Sequence, residues 1–129
     1  MEETVFSKII KGEIPSHKVY EDEHTYAFLT IHPGMPGHTL VVPKNPVDSL
    51  WDLDDHEYSH LWMDAKKIAQ HIQPIMGTRR VGVMVMGFGV PHAHIHLVPI
   101  NHGYELKEGP EDIEPDHEEL AKIAEKLRF

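Results

Sequence analysis

The chain has 129 residues, 21 acidic against 12 Lys/Arg side chains, a formal charge of −9 and no cysteine. That length suits one domain with one substantial core, and the missing thiols exclude a disulfide framework, a cysteine nucleophile and a cysteine-ligated zinc site. The acidic balance argues against general nucleic-acid binding, which asks for a basic face toward the phosphates, while leaving room for a small nucleotide in a local pocket.

The first residues carry neither a basic leader nor a long apolar run, and no window approaches the ~20 apolar residues of a membrane span. A soluble, cytoplasmic protein without stable membrane association is expected. VFSKIIKGEIP (5–15) predicts a short helix or turn docked on the body. KVYEDEHTYAFLTI (18–31) predicts two strand segments joined by a polar tip at Glu21–His24, with Tyr26 and Phe28 alternating with Ala27 and Leu29. HPGMPGHTLVVPK (32–44) starts as a Pro/Gly turn and becomes a strand from His38 to Val42.

The strongest helix signal covers about 54–75. Tyr58, Leu61, Trp62, Ala65, Ile68, Ala69, Ile72 and Ile75 recur every three or four residues, Asp54 or Asp55 offers a cap, and Pro74 and Gly77 favour an end. His56, His60 and His71 fall away from that stripe and read as partly exposed helix histidines. RRVGVMVMG (79–87) predicts a strand, GFG a turn, and VPHAHIHLVPI (90–100) a further strand. A polar loop follows over 101–116, then a helix at about 116–127 with Leu120, Ile123, Ala124 and Leu127 on one side. The order of elements implies a single α+β domain over 1–129, with a mostly antiparallel sheet.

His92, His94 and His96 alternate with Ala93, Ile95 and Leu97. On a strand the histidines share one face and the apolar residues pack on the other. His92 and His96 would lie about 13 Å apart on a straight strand, whereas ligands of one zinc must each come within about 2.1 Å of it. A metal site therefore requires a bent strand or a ligand from elsewhere. Phosphoryl chemistry suits the row without a metal: one neutral imidazole attacks phosphorus while its neighbours donate hydrogen bonds or protons.

The run His92-Ala-His94-Ile-His96-Leu97-Val98 resembles the signature of the histidine triad nucleotide-binding and hydrolase superfamily. FSKIIKGEIPSHKVYEDE (6–23) and AFLTIHPGMPGHTLVVPK (27–44) resemble that family's first two sequence blocks, so the likeness spans roughly 6–100 and leaves 101–129 as a variable segment. The resemblance implies an α+β histidine triad fold with an antiparallel meander, paired as a homodimer, and no cofactor or metal. It implies hydrolysis of a nucleoside phosphoramidate or nucleotidyl ester, with a purine nucleotide or nucleotide conjugate as substrate and a nucleotidyl-histidine intermediate. By the same resemblance His94 is the nucleophile, His96 contacts phosphate and assists proton transfer, His92 supports the site through hydrogen bonds, and His38 is an additional active-site histidine. Gly87 and Gly89 are expected to bring backbone N–H groups to phosphate. Phe28, Leu29, Thr30 and Ile31 are expected around base and ribose, with Phe6 or Ile10 as further wall.

Several positions depart from the family pattern. Thr30 stands where many members carry a ribose-binding Asp, and Gly87-Phe88-Gly89-Val90 replaces Gly-Gln-Ser/Thr-Val. An upstream Asn falls at Val81 in an ungapped reading. Thr4 and Ser7 occupy the places of a zinc-binding Cys-x-x-Cys found in some relatives. Phe88 is expected to stack on a base or substrate tail or to pack the loop, and His102 to be a loop residue. These losses motivate two alternatives, a catalytically weak nucleotide-binding module and a nucleotidyltransferase, with a metal-dependent enzyme as the differing mechanism.

Overall fold

The computed structural model describes residues 3–129. Helix α1 is Val5–Ile10, started by Thr4, whose side chain accepts from the Ser7 N–H while the Ser7 hydroxyl takes the Thr4 N–H. Five strands follow as β1 Lys18–Glu21, β2 Thr25–Leu29, β3 Thr39–Pro43, β4 Arg80–Met84 and β5 Ile95–Ile100. They form one sheet in the order β1-β2-β3-β5-β4, every neighbouring pair antiparallel. Helices α2 (Asp55–Met76) and α3 (His117–Leu127) complete the α+β domain.

Strand alternation divides the interior in two. Ala27, Leu29, Val41, Ile95 and Leu97 face Leu61, Ala65, Ile68 and Ile72 of α2 and Leu120, Ile123, Ala124 and Leu127 of α3. On the opposite face Tyr26, Phe28, Leu40 and Val42 pack with Phe6 and Ile9 of α1. Covering both faces explains why β2, β3 and β5 are buried throughout their lengths. Among the described residues no helix is long and apolar enough to cross a membrane.

Three expectations are corrected. The strand expected over 90–100 begins at Ile95, because Pro91 has no N–H and the Ala93 N–H is given to Val47 O at 2.8 Å rather than to a ladder. Only His96 of the triad therefore lies in the sheet, paired with Leu40 on one side and Met84 on the other. Ile75 is exposed, and Met76 takes the packing position at the end of α2. That helix runs through Pro74 and stops at Gly77, whose φ of 70° is the left-handed cap that glycine adopts without strain.

Candidate active site

His38, His94 and His96 meet where β3 and β5 run side by side, and a cavity of about 630 Å³ opens over His94 and His96, with His38 buried behind His96. Phe6, Ile9, Phe28, Leu40 and Val90 give it an apolar wall, and His94 and His96 lie at its polar end. Phe28, Leu29, Thr30, Ile31, Gly87, Phe88 and Gly89 all line it. Phe6 is wall, whereas Ile10 packs against the smaller core cluster and Ile9 takes the wall position.

Hydrogen-bond partners assign the tautomers. His94 Nδ1 is 2.7 Å from the His92 carbonyl oxygen. A carbonyl only accepts, so Nδ1 carries the proton and Nε2 holds the lone pair. His92 Nε2 donates to Pro43 O at 2.7 Å, which leaves its Nδ1 to accept from the Thr4 hydroxyl at 2.8 Å. Burial lowers the pKa of His92. His92 does not line the cavity; it is a wholly buried strut that aims its own carbonyl at His94.

A second chain sets His96. The Gly34 N–H donates to His38 Nδ1 at 3.0 Å, so His38 Nε2 is protonated and donates to His96 Nδ1 at 2.9 Å. His96 then carries its proton on Nε2, a buried atom with no hydrogen-bond partner. Its nearest anion is Glu108 Oε1 at 3.5 Å, beyond ordinary hydrogen-bond length. The arrangement is thus a lone pair on His94 beside an orphaned donor on His96, the ring centroids 4.9 Å apart.

Burial drives the pKa of His38 down to about 3, aided by His96, and that of His96 down to about 4, aided by His94. Both rings are neutral in the fold, and unfolding frees them to bind protons below pH 6.5. Between the folded and unfolded values the unfolded state holds more protons, so stability falls as pH falls. From pH 7 to pH 5 each ring should cost about 2 kcal/mol. Urea unfolding at the two pH values measures the fall, and His38→Gln should make it shallower.

The Pro/Gly turn at 32–37 and the segment after β5 hold each other. Gly109 N–H donates to His32 O at 3.0 Å, and a Cβ on Gly34 would overlap Lys107 O while one on Gly109 would overlap Pro33 O. That seam brings Glu108 to the cavity, a residue sequence reasoning did not single out. Its only sequence signal is the Gly-Pro step that follows it. Thr4 was noted solely as a missing cysteine, although its hydroxyl is the partner of His92. Thr30 lines the cavity, and its hydroxyl accepts from the His32 N–H at 3.2 Å. Phe88 is 94 % exposed at the rim, so it does not pack the loop. Val81 pairs with Pro99 and packs on the main core, outside the cavity; Met86 is the residue from that end of the hairpin that reaches it. His102 precedes the short 3-10 turn Gly103–Glu105 and stacks on Tyr104 away from the cavity.

A sequence profile described as the HIT domain matches residues 11–103. The chain belongs to the HIT-domain family. A HIT-like protein of Bartonella henselae has a solved structure that superposes with a TM-score of 0.85 at 34% identity, covering 98% of this chain and 94% of that one. Protein hit of Bacillus subtilis is 40% identical, over 76% of this chain and 71% of its own length. Adenosine 5'-monophosphoramidase HNT1 of Saccharomyces cerevisiae is 37% identical over 74% of this chain and 61% of its own. HIT-domain membership supports nucleotide binding and hydrolysis in general.

Proposed function

We propose that the protein hydrolyses nucleoside phosphoramidates, with a purine nucleotide such as AMP as the nucleotidyl part. The observation that carries the reading is the paired state of two rings, a lone pair on His94 Nε2 and an unpartnered N–H on His96 Nε2. A nucleophile and a phosphate-oxygen donor are what in-line attack at phosphorus needs. His94 Nε2 forms the bond to the α-phosphorus as the P–N bond breaks, and the nitrogen leaves with that electron pair. The His92 carbonyl steadies the cationic ring that results. Water then displaces His94. Over the two steps one water supplies a proton to the nitrogen and a hydroxyl to phosphorus, and His94 ends as it began. His96, held neutral, serves as a hydrogen-bond donor to the phosphoryl oxygens more than as a proton carrier.

The choice of an amine leaving group rests on charge. Glu108, 3.5 Å from His96, and Glu111 line the cavity, and neither Lys nor Arg does so among the described residues. A phosphate leaving group would meet carboxylates there, whereas a protonated amine would be attracted. The sequence similarity to the yeast phosphoramidase supports the same class. The apolar wall of Phe6, Ile9, Phe28 and Leu40 suits a base. A homodimer is the proposed assembly.

Steady-state assays on adenosine 5'-phosphoramidate, an AMP–alkylamine and a dinucleoside polyphosphate test this. The amine conjugates should have the higher kcat/KM, and Glu108→Gln should narrow the gap. A preference for the polyphosphate contradicts the leaving-group assignment, and nucleotide binding without turnover of any substrate favours the binding-module alternative.

A further inference from the structure

Outside the cavity, a second group of titratable side chains gathers where the β1–β2 turn meets α2. His60 and Asp64, one helical turn apart, lie on the same face of α2, and Asp22 approaches from the turn. His60 Nε2 is 3.1 Å from Asp22 Oδ2 and 3.0 Å from Asp64 Oδ2. None of the three lines the triad cavity.

We propose that Asp22, His60 and Asp64 form a binding site for a divalent first-row transition metal, zinc fitting best. Ligands about 2.0–2.1 Å from a tetrahedral zinc lie about 3.3 Å from one another, so the observed separations require only small movements. One imidazole nitrogen and two carboxylate oxygens match zinc in chemistry; an all-oxygen set would favour calcium or magnesium.

Two independent features point to a ligand. The Asp64 side chain is 8 % exposed, and its Oδ2, turned toward the cluster, accepts no hydrogen bond, because the His60 ring bonds to Asp22 instead. Burying such an oxygen without a partner is costly. Asp22 is also already oriented. Its Oδ1 accepts from the His24 and Thr25 N–H groups, both at 2.9 Å, while Tyr20 donates to Oδ2 at 3.0 Å and is itself held by Lys67. This outer layer directs Oδ2 at the helix, as supporting hydrogen bonds do for metal ligands. Charge agrees with the geometry: two carboxylates, Asp22 and Asp64, face one imidazole. A dication neutralises both. The His24 ring packs edge-on against that of His60, their centroids 4.8 Å apart. Bound metal would pin the β1–β2 turn to α2.

Titrating untagged, chelator-treated protein with zinc chloride by calorimetry tests the site, with thermal melts alongside. Wild type and His94→Ala should each bind one zinc and melt higher with it. His60→Ala and Asp64→Asn, folded by circular dichroism, should bind at least about tenfold more weakly, the loss typical even of outer-layer changes. His60 is partly exposed, so His60→Ala keeps the test valid should Asp64→Asn fold poorly. Wild-type affinity in His60→Ala, loss of binding in His94→Ala alone, or no stoichiometric binding by wild type would each overturn the proposal.

Discussion

His94→Ala should reduce turnover of a nucleoside phosphoramidate by roughly four orders of magnitude or more, the scale seen when a covalent nucleophile is removed. The His94 Nε2 lone pair is fixed at the polar end of the cavity by a main-chain acceptor on the other ring nitrogen. The fold should survive, because the ring lies at the polar end of the cavity and packs edge-on against Phe6 at 5.1 Å but belongs to neither core cluster. His94→Asn sharpens the comparison, since its amide can still donate to His92 O yet has no nucleophilic lone pair. A melting temperature near wild type together with lost kcat assigns the effect to chemistry. Turnover retained in either variant would remove His94 from the nucleophile's role.

The second large effect belongs to His38, which touches no substrate in this arrangement and acts through His96. His38→Ala removes both the acceptor for the Gly34 N–H and the donor to His96 Nδ1. His96 can then place its proton on either nitrogen, and the donor facing the cavity is no longer guaranteed. Losing a hydrogen bond that orients a functional histidine costs about 10–100-fold in comparable settings, and the fall should appear in kcat more than in KM. A merely structural role predicts no rescue by chemistry. The tautomer account predicts that His38→Gln, whose amide offers one acceptor and one donor, recovers part of the rate. Equal kcat for the Ala and Gln variants would contradict it.

Much of this architecture was legible because strong local rules act in the sequence. Alternation in TYAFL gave one strand, the Pro/Gly turn and Pro43 bounded another over TLVVP, and the 3.6-residue period of α2 gave its buried face. Prolines and glycines marked the turns between them. The triad was legible for a different reason, since three alternating histidines in an apolar run resemble a known signature.

The rest depends on contacts between distant segments. Period-2 reasoning put all three histidines on one strand face, but the Ala93 N–H leaves the ladder for Val47 and the chain turns His92 inward. The reach of His38 to His96 spans 58 positions and that of Thr4 to His92 spans 88. Glu108 arrives only because Gly34 and Gly109 allow two backbones to touch. His60 read as an ordinary helix histidine because its acidic partners are split, with one four residues on and the other in a turn 38 positions away.

The central claim is that His94 Nε2 bonds covalently to the nucleotidyl phosphorus, and trapping that bond tests it most directly. Wild-type protein mixed with an adenosine phosphoramidate, quenched within a turnover and digested, should yield a peptide carrying one adenylyl group on His94 by mass spectrometry. The same peptide from His94→Ala should carry none. Full turnover by wild type with His94 unmodified, or the adenylyl group on another residue, would contradict the account.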